Sequence, residues 1–156
     1  MPSFRTTRRV PFTTHQMFDL VADVEGYPEF LPLCEALTVR SREREGEIEV
    51  LTADMTVGYK AIRETFRSRV RLDRGRCEVS AAGVAGAMGP FSQLENRWTF
   101  HPTGERTCEV EFFISYEFRS RALGLLMGAM FDAAFRRFAA AFERRADVIY
   151  ARVSGA

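Results

Sequence analysis

Cysteine, histidine and lysine are scarce in this chain of 156 residues: there are three cysteines, two histidines and a single lysine, Lys60. Cys34, Cys77 and Cys108 are odd in number and far apart, so neither a disulfide framework nor a CxxC metal site is indicated. His15 opens a helix and His101 stands beside Pro102 in a turn; neither is near a serine or cysteine nucleophile in sequence. Without a glycine-rich phosphate loop or a cluster of metal ligands, no catalytic residue, metal or required cofactor is expected. No stretch reaches the roughly 20 apolar residues that span a bilayer. Met1–Val10 is polar and basic, without the apolar core of a signal peptide. The expected compartment is the reducing cytosol. An excess of one charge is missing too: the formal net charge of +1 gives no general pull toward nucleic acid or acidic membranes, and DNA is not an expected partner.

What the chain does have is apolar bulk. Hydrophobic residues make up 46%, with 14 phenylalanines and 6 methionines, enough either to fill a core or to line an adaptable cavity. Residues 1–156 read as one domain with its core at about 3–150. Ser3–Val10 alternates as a first strand, ended by Pro11. Thr13 or Thr14 then caps a helix carrying Met17, Phe18, Leu20 and Val21. From Ala36 to Ser120 the pattern has period two. In Glu47–Val57 the apolar phase slips between Val50 and Leu51, which predicts a bulge there, and Gly58 predicts a turn or kink. Tyr59–Arg74 is the clearest strand. Cys77, Val79 and Ala81 share a face of the next, and Gly83–Pro90 is a loose segment. Ser92–Phe100 and Thr107–Phe118 complete the strands. Ser120 caps a final helix to about Arg152, with Leu123, Met127, Phe131, Ala134, Phe138, Phe142 and Ile149 as its stripe. The order predicts an α+β fold: a seven-stranded antiparallel curved sheet wrapped round a long C-terminal helix, with two short helices after the first strand.

Between the first helix and the sheet lies Tyr27-Pro28-Glu29-Phe30-Leu31-Pro32-Leu33-Cys34. Proline ends helices and biases its predecessor toward extended backbone. A segment this apolar is expected to plug one end of the fold. It resembles the Tyr-Pro-x-Phe-Leu-Pro-Trp-Cys segment of the coenzyme Q-binding chaperones and of the related bacterial RatA group, within the START-like, helix-grip (polyketide cyclase/dehydrase-like) superfamily. Met55-Thr56-Val57-Gly58-Tyr59-Lys60 and Gly89-Pro90-Phe91, followed by Leu94, Asn96, Trp98 and Phe100, resemble two further segments of the group in the right order. Leu33 departs from the pattern, standing where many members carry tryptophan.

The resemblance implies a carrier or chaperone for an isoprenoid quinone, most plainly ubiquinone, in support of respiratory electron transport. The alternatives are a RatA-type factor that interferes with ribosomal subunit association and a polyketide aromatase/cyclase-like enzyme. The expected ligand site takes Tyr27, Phe30, Leu31 and Leu33 from the plug; Glu64, Phe66 and Val70 from the clearest strand; and Phe91, Leu94, Asn96 and Trp98 from the next-to-last. Phe112, Ile114 and Tyr116 from the last strand, with Leu123, Met127, Met130 and Phe131 from the helix, complete it. A fully packed core remains the alternative to a cavity. Glu64 and Asn96 interrupt apolar faces; they either meet a quinone oxygen or bond each other, Tyr116 or backbone. Cys34 reads as an inert packed thiol, and Gly124 and Gly128 as a site of close helix-on-sheet packing. Arg63, Arg67, Arg69 and Arg71 line one strand face; Glu47 and Glu49 are expected to pair with them, against RNA phosphate as the alternative. In a further variant, the helix start and the Gly83–Pro90 loop form an apolar mouth that touches the inner face of the cell membrane.

Overall fold

The computed structural model describes residues 3–151. Strand β1 (Ser3–Val10) leads through Pro11 to helix α1 (Thr14–Ala22). Thr13 caps α1: its hydroxyl accepts from the Gln16 N–H at 3.1 Å, and the Gln16 side chain accepts from the Thr13 N–H at 2.9 Å. A 3-10 helix over Val24–Glu29 contains Pro28 and leads into the plug. Six strands follow: β2 (Cys34–Glu45), β3 (Ile48–Tyr59), β4 (Ile62–Asp73), β5 (Glu78–Gly83), β6 (Phe91–Pro102) and β7 (Cys108–Phe118). Helix α2 (Arg121–Ala146) is capped by the Ser120 hydroxyl, and a π-helical turn continues it over Asp147–Ala151. Arg152, the expected end of this helix, lies outside the described residues.

The seven strands form one antiparallel sheet in the order β1-β7-β6-β5-β4-β3-β2. Twelve-residue strands run about 40 Å, and the 26 residues of α2 about 39 Å. The matching lengths let one helix lie along the curved sheet, where it packs on β7, β1 and α1. The alternating faces of the strands put Leu51, Val70, Val79, Leu94, Trp98 and Phe112 inside.

Three local expectations are corrected. The register of β3 against β4 is continuous through Val50 and Leu51; the irregularities lie in β2, at Glu35 and Arg40. Val50 simply faces the outer side. Gly58 is no turn: it is paired with Arg63 inside β3, and the chain reverses at Lys60–Ala61, with Lys60 at φ 55°. A Cβ at Gly58 would meet the Glu35 carboxylate, the end of a flexible side chain that can move aside, so the space there does not demand glycine. Cys77 belongs to the turn before β5 at φ 51° and not to the strand.

The outer face is ion-paired, but not in the expected way: among the described residues neither Glu47 nor Glu49 pairs with an arginine of β4. Glu49 pairs with Arg42 and Arg44 of β2, not with β4. Arg63 pairs with Glu35. Arg67 grips both oxygens of Asp54 at 2.7 and 3.1 Å, and Arg40, the extra residue of the β2 bulge, reaches the same carboxylate. The Arg67 hydrogen bonds hold the Asp54 carboxyl at about 2, below its ordinary 3.8, against opposing desolvation and with help from Arg40. A depressed carboxyl stabilises the fold above its unfolded value, and that contribution fades as pH falls through the folded one. Asp54→Asn is therefore expected to cost about 1 kcal/mol at neutral pH. In urea denaturation across a pH series, its deficit should shrink between about pH 4 and pH 2.

Candidate ligand-binding site

The plug is built by backbone geometry as much as by side chains. The N–H groups of Phe30 and Leu31 donate to the Tyr27 carbonyl at 3.1 and 2.9 Å, and Gly58 N–H donates to the Leu33 carbonyl at 3.0 Å. Leu33 is left-handed at φ 68°, a conformation that costs a non-glycine residue about 1–2 kcal/mol. The ring of Phe142 holds the segment down, with its centroid 5.2 Å from Tyr27 and 5.0 Å from Phe30. The Tyr27 hydroxyl donates to the Val21 carbonyl. Burial pushes this phenol far above its ordinary value, so it stays neutral. Burial also raises the Cys34 thiol to about 11, which leaves it protonated and a poor nucleophile.

Between plug, sheet and helix lies a cavity of about 80 Å³. An apolar cavity of about 150 Å³ takes up benzene, so this one is too small for a ring of that size unless its walls part. Its walls bring together many of the expected residues: Tyr27, Leu31 and Leu33 of the plug, Phe66 and Val70 of β4, and Leu94, Asn96 and Trp98 of β6. Phe112 and Ile114 of β7 and Phe131 of α2 join them.

Seven expected residues do not line it. Phe30 stands behind the plug, against Tyr27 and Phe142. Phe91 is fully buried in an aromatic cluster with Phe66, Tyr116, Phe118 and Phe131, and Tyr116 packs on Phe91, Phe118 and Phe135. Leu123 and Met127 pack against the core about two turns and one turn before Phe131, the first helix residue of the wall, and Met130, next to Phe131, packs against the core without lining the cavity. Glu64 is half-buried, paired in register with Val57, and stands off the wall. Glu64 and Asn96 do not bond each other, and neither bonds Tyr116. Gly124 and Gly128 face the Phe118 ring of β7, but a Cβ at either would make only ordinary van der Waals contact with it, so the packing there does not demand glycine.

The wall also uses residues that the expected ligand site left out. Leu37, Met55 and Val57 come from the β2–β3 wing, and Phe135, Phe138 and Phe142 from α2. Ser68 is a polar addition. Its position in the β4 alternation, on the same face as Phe66 and Val70, was the available signal. The hydroxyl of Ser68, the amide of Asn96 and the indole N–H of Trp98 take no hydrogen bond among the described residues, and none of these atoms is sealed from open space. An apolar chamber with three convergent unpaired polar groups is the pattern of a small-molecule site.

The family model for polyketide cyclase / dehydrase and lipid transport proteins matches residues 10–143. The chain belongs to this family. It is 34% identical over 152 residues to the ribosome association toxin RatA of Rickettsia prowazekii, covering 96% of this chain and 99% of that one. It is 33% identical over 144 residues to the mitochondrial coenzyme Q-binding protein COQ10 homolog B of Xenopus laevis, covering 90% of this chain and 56% of that one. The solution structure of an 18 kDa protein from Caulobacter crescentus matches all of both chains, with 33% identity and a TM-score of 0.77. The fold is START-like: a START superfamily protein from Mycobacterium smegmatis superposes with a TM-score of 0.77 at 17% identity, over 94% of this chain and 98% of that one.

Proposed function

We propose that this member of the family binds an isoprenoid quinone, ubiquinone, with the head group in the cavity, and carries or presents it to respiratory enzymes. The donor set supports this reading above all. A quinone head offers only hydrogen-bond acceptors, its carbonyl and methoxy oxygens. Ser68, Asn96 and Trp98 each bring a donor with no partner among the described residues to an otherwise apolar wall. Neither a cation for an acidic ligand nor a carboxylate for a basic one stands in that wall. The tail would leave past the half-buried rim of Pro32, Leu33, Leu37 and Met55, and each CH₂ it buries contributes about 0.8 kcal/mol. The protein acts by burial and donation of hydrogen bonds, as a binder and not an enzyme: Glu64 and Tyr116 lie off the wall, and the Tyr27 phenol in it is kept neutral by burial and already donates to the Val21 carbonyl.

The test is native mass spectrometry of protein from a ubiquinone-producing host, with organic extraction, followed by titration of apo protein with added ubiquinone. Stoichiometric uptake that Leu94→Trp abolishes is the expected result. Apo protein that takes up no ubiquinone overturns the reading.

A second reading is favoured by the outer face. Val50, Arg71, Ser80, Arg97, Phe113 and Arg5 form one cross-strand row. Small Ser80 and Ala82 floor a trough walled by Arg69, Arg71 and Arg97, which form no ion pair among the described residues, with Glu78 and Glu95 at its edges. The Phe113 ring lies 4.9 Å from the Arg5 guanidinium and 5.8 Å from that of Arg97. Arg5 is paired with Glu111, but the free guanidinium of Arg97 beside the ring, with those of Arg69 and Arg71 along the trough, suits RNA, in keeping with the ribosome association for which RatA is named. Under this reading, reversing Arg69, Arg71 and Arg97 to glutamate abolishes salt-sensitive co-sedimentation with ribosomes. Unchanged co-sedimentation removes it.

A further inference from the structure

The outer face of a surface helix is normally polar, yet α2 begins otherwise. From Ala122 to Phe131 it carries no charged residue. Leu125 and Leu126 are 84% and 63% exposed. The loop beside it, Val84–Pro90, is also uncharged, and the Arg119 N–H ties the two together by donating to the Pro90 carbonyl at 2.9 Å. Antiparallel topology brings the end of β3, the end of β5 and the start of α2 to one end of the sheet. The third exposed apolar residue, Tyr59, caps the β3–β4 hairpin at that same end, with the Lys60 ammonium 5.3 Å from its ring. Among the described residues, three of the four exposed large hydrophobic side chains thus share one end of the molecule, and the Leu33 rim of the cavity opens beside them.

We infer that this end docks on a bilayer surface containing anionic lipid, with Leu125 and Leu126 entering the headgroup–acyl boundary and Tyr59 lying at headgroup level. Each apolar tip has a cation near it: Lys60 after Tyr59, and Arg119 and Arg121 before the leucines. Arg119 and Arg121 form no ion pair among the described residues; Glu117 and Glu64 are the nearby acids without one, and Arg63 is neutralised by Glu35. Apolar tips with cations just behind are the arrangement of an interfacial anchor. A second copy seated on the same patch would bring these cations against one another, whereas phospholipid phosphates complement them.

The inference stands apart from the quinone reading, so its test omits quinone. Vesicles of mixed phosphatidylglycerol and phosphatidylcholine, and vesicles of phosphatidylcholine alone, are sedimented with the full chain. Binding to the mixed vesicles is expected, weakened by salt, and at least about tenfold weaker for Leu125→Glu/Leu126→Glu. Glutamates in the first turns of a helix are compatible with its dipole, and circular dichroism checks that the variant is folded. Failure of the native chain to sediment with either vesicle overturns the inference, as does equal binding by the variant. A dimer in sedimentation equilibrium that the variant dissolves, without vesicle binding, assigns the patch to a second copy and also overturns it.

Discussion

Phe142→Ala is expected to lose about 3–5 kcal/mol of stability, a large part of the 5–15 kcal/mol typical of a domain. Phe142 is 1% exposed and meets three rings: Tyr27 at 5.2 Å, Phe30 at 5.0 Å and Trp98 at 4.8 Å. It joins plug, sheet and helix at one point. Removing the ring leaves a void that rigid aromatic neighbours fill only in part. The existing cavity beside it, about 80 Å³, grows and offers no atoms to close the gap. Urea denaturation reads the loss. Hydrogen exchange should show the amides of Leu31 and Cys34 losing protection first, because their bonds lie within the plug. A loss below about 1 kcal/mol, with plug protection unchanged, means that the segment is held by something other than this ring.

Leu94→Trp is the opposite change in the same chamber. Leu94 is buried, stands in register with Tyr116, and faces the cavity from β6. The indole has one direction to grow, into the space that the quinone head would occupy. Ubiquinone uptake is expected to fall by more than about tenfold, while stability moves by no more than about 1–3 kcal/mol, the usual cost of overpacking. The contrast between the two variants is informative. One enlarges the chamber and loosens the plug; the other fills it and leaves the plug in place. Equal quinone uptake by Leu94→Trp and the native chain places the ligand elsewhere.

The order of elements along the chain and the helix stripe were legible because alternation and helical spacing are local consequences of which face is buried. Ser120 and Thr13 showed the helix starts through the same chemistry that caps them. The slip at Val50 misled because an apolar residue on an outer face imitates a bulge. The true irregularities, at Glu35 and Arg40, involve charged residues, and after Val39 no apolar residue follows in β2 to show the change of phase at Arg40.

By itself the sequence determined the class of fold, the plug with its two prolines, and the family, since each depends on residue types at fixed spacing. It also determined that any site in the sheet–helix interior would be apolar. Only the tertiary structure decided which inward residues border open space. Leu123, Met127 and Tyr116 have the same periodicity as Phe131 and Trp98, but lie where helix and sheet close on each other, whereas Ser68, Met55 and Phe138 lie where they stand apart. Periodicity specifies the direction of a side chain and not the distance to the opposite wall. That distance is set by the sheet's curvature and by the side of it on which α2 comes to rest.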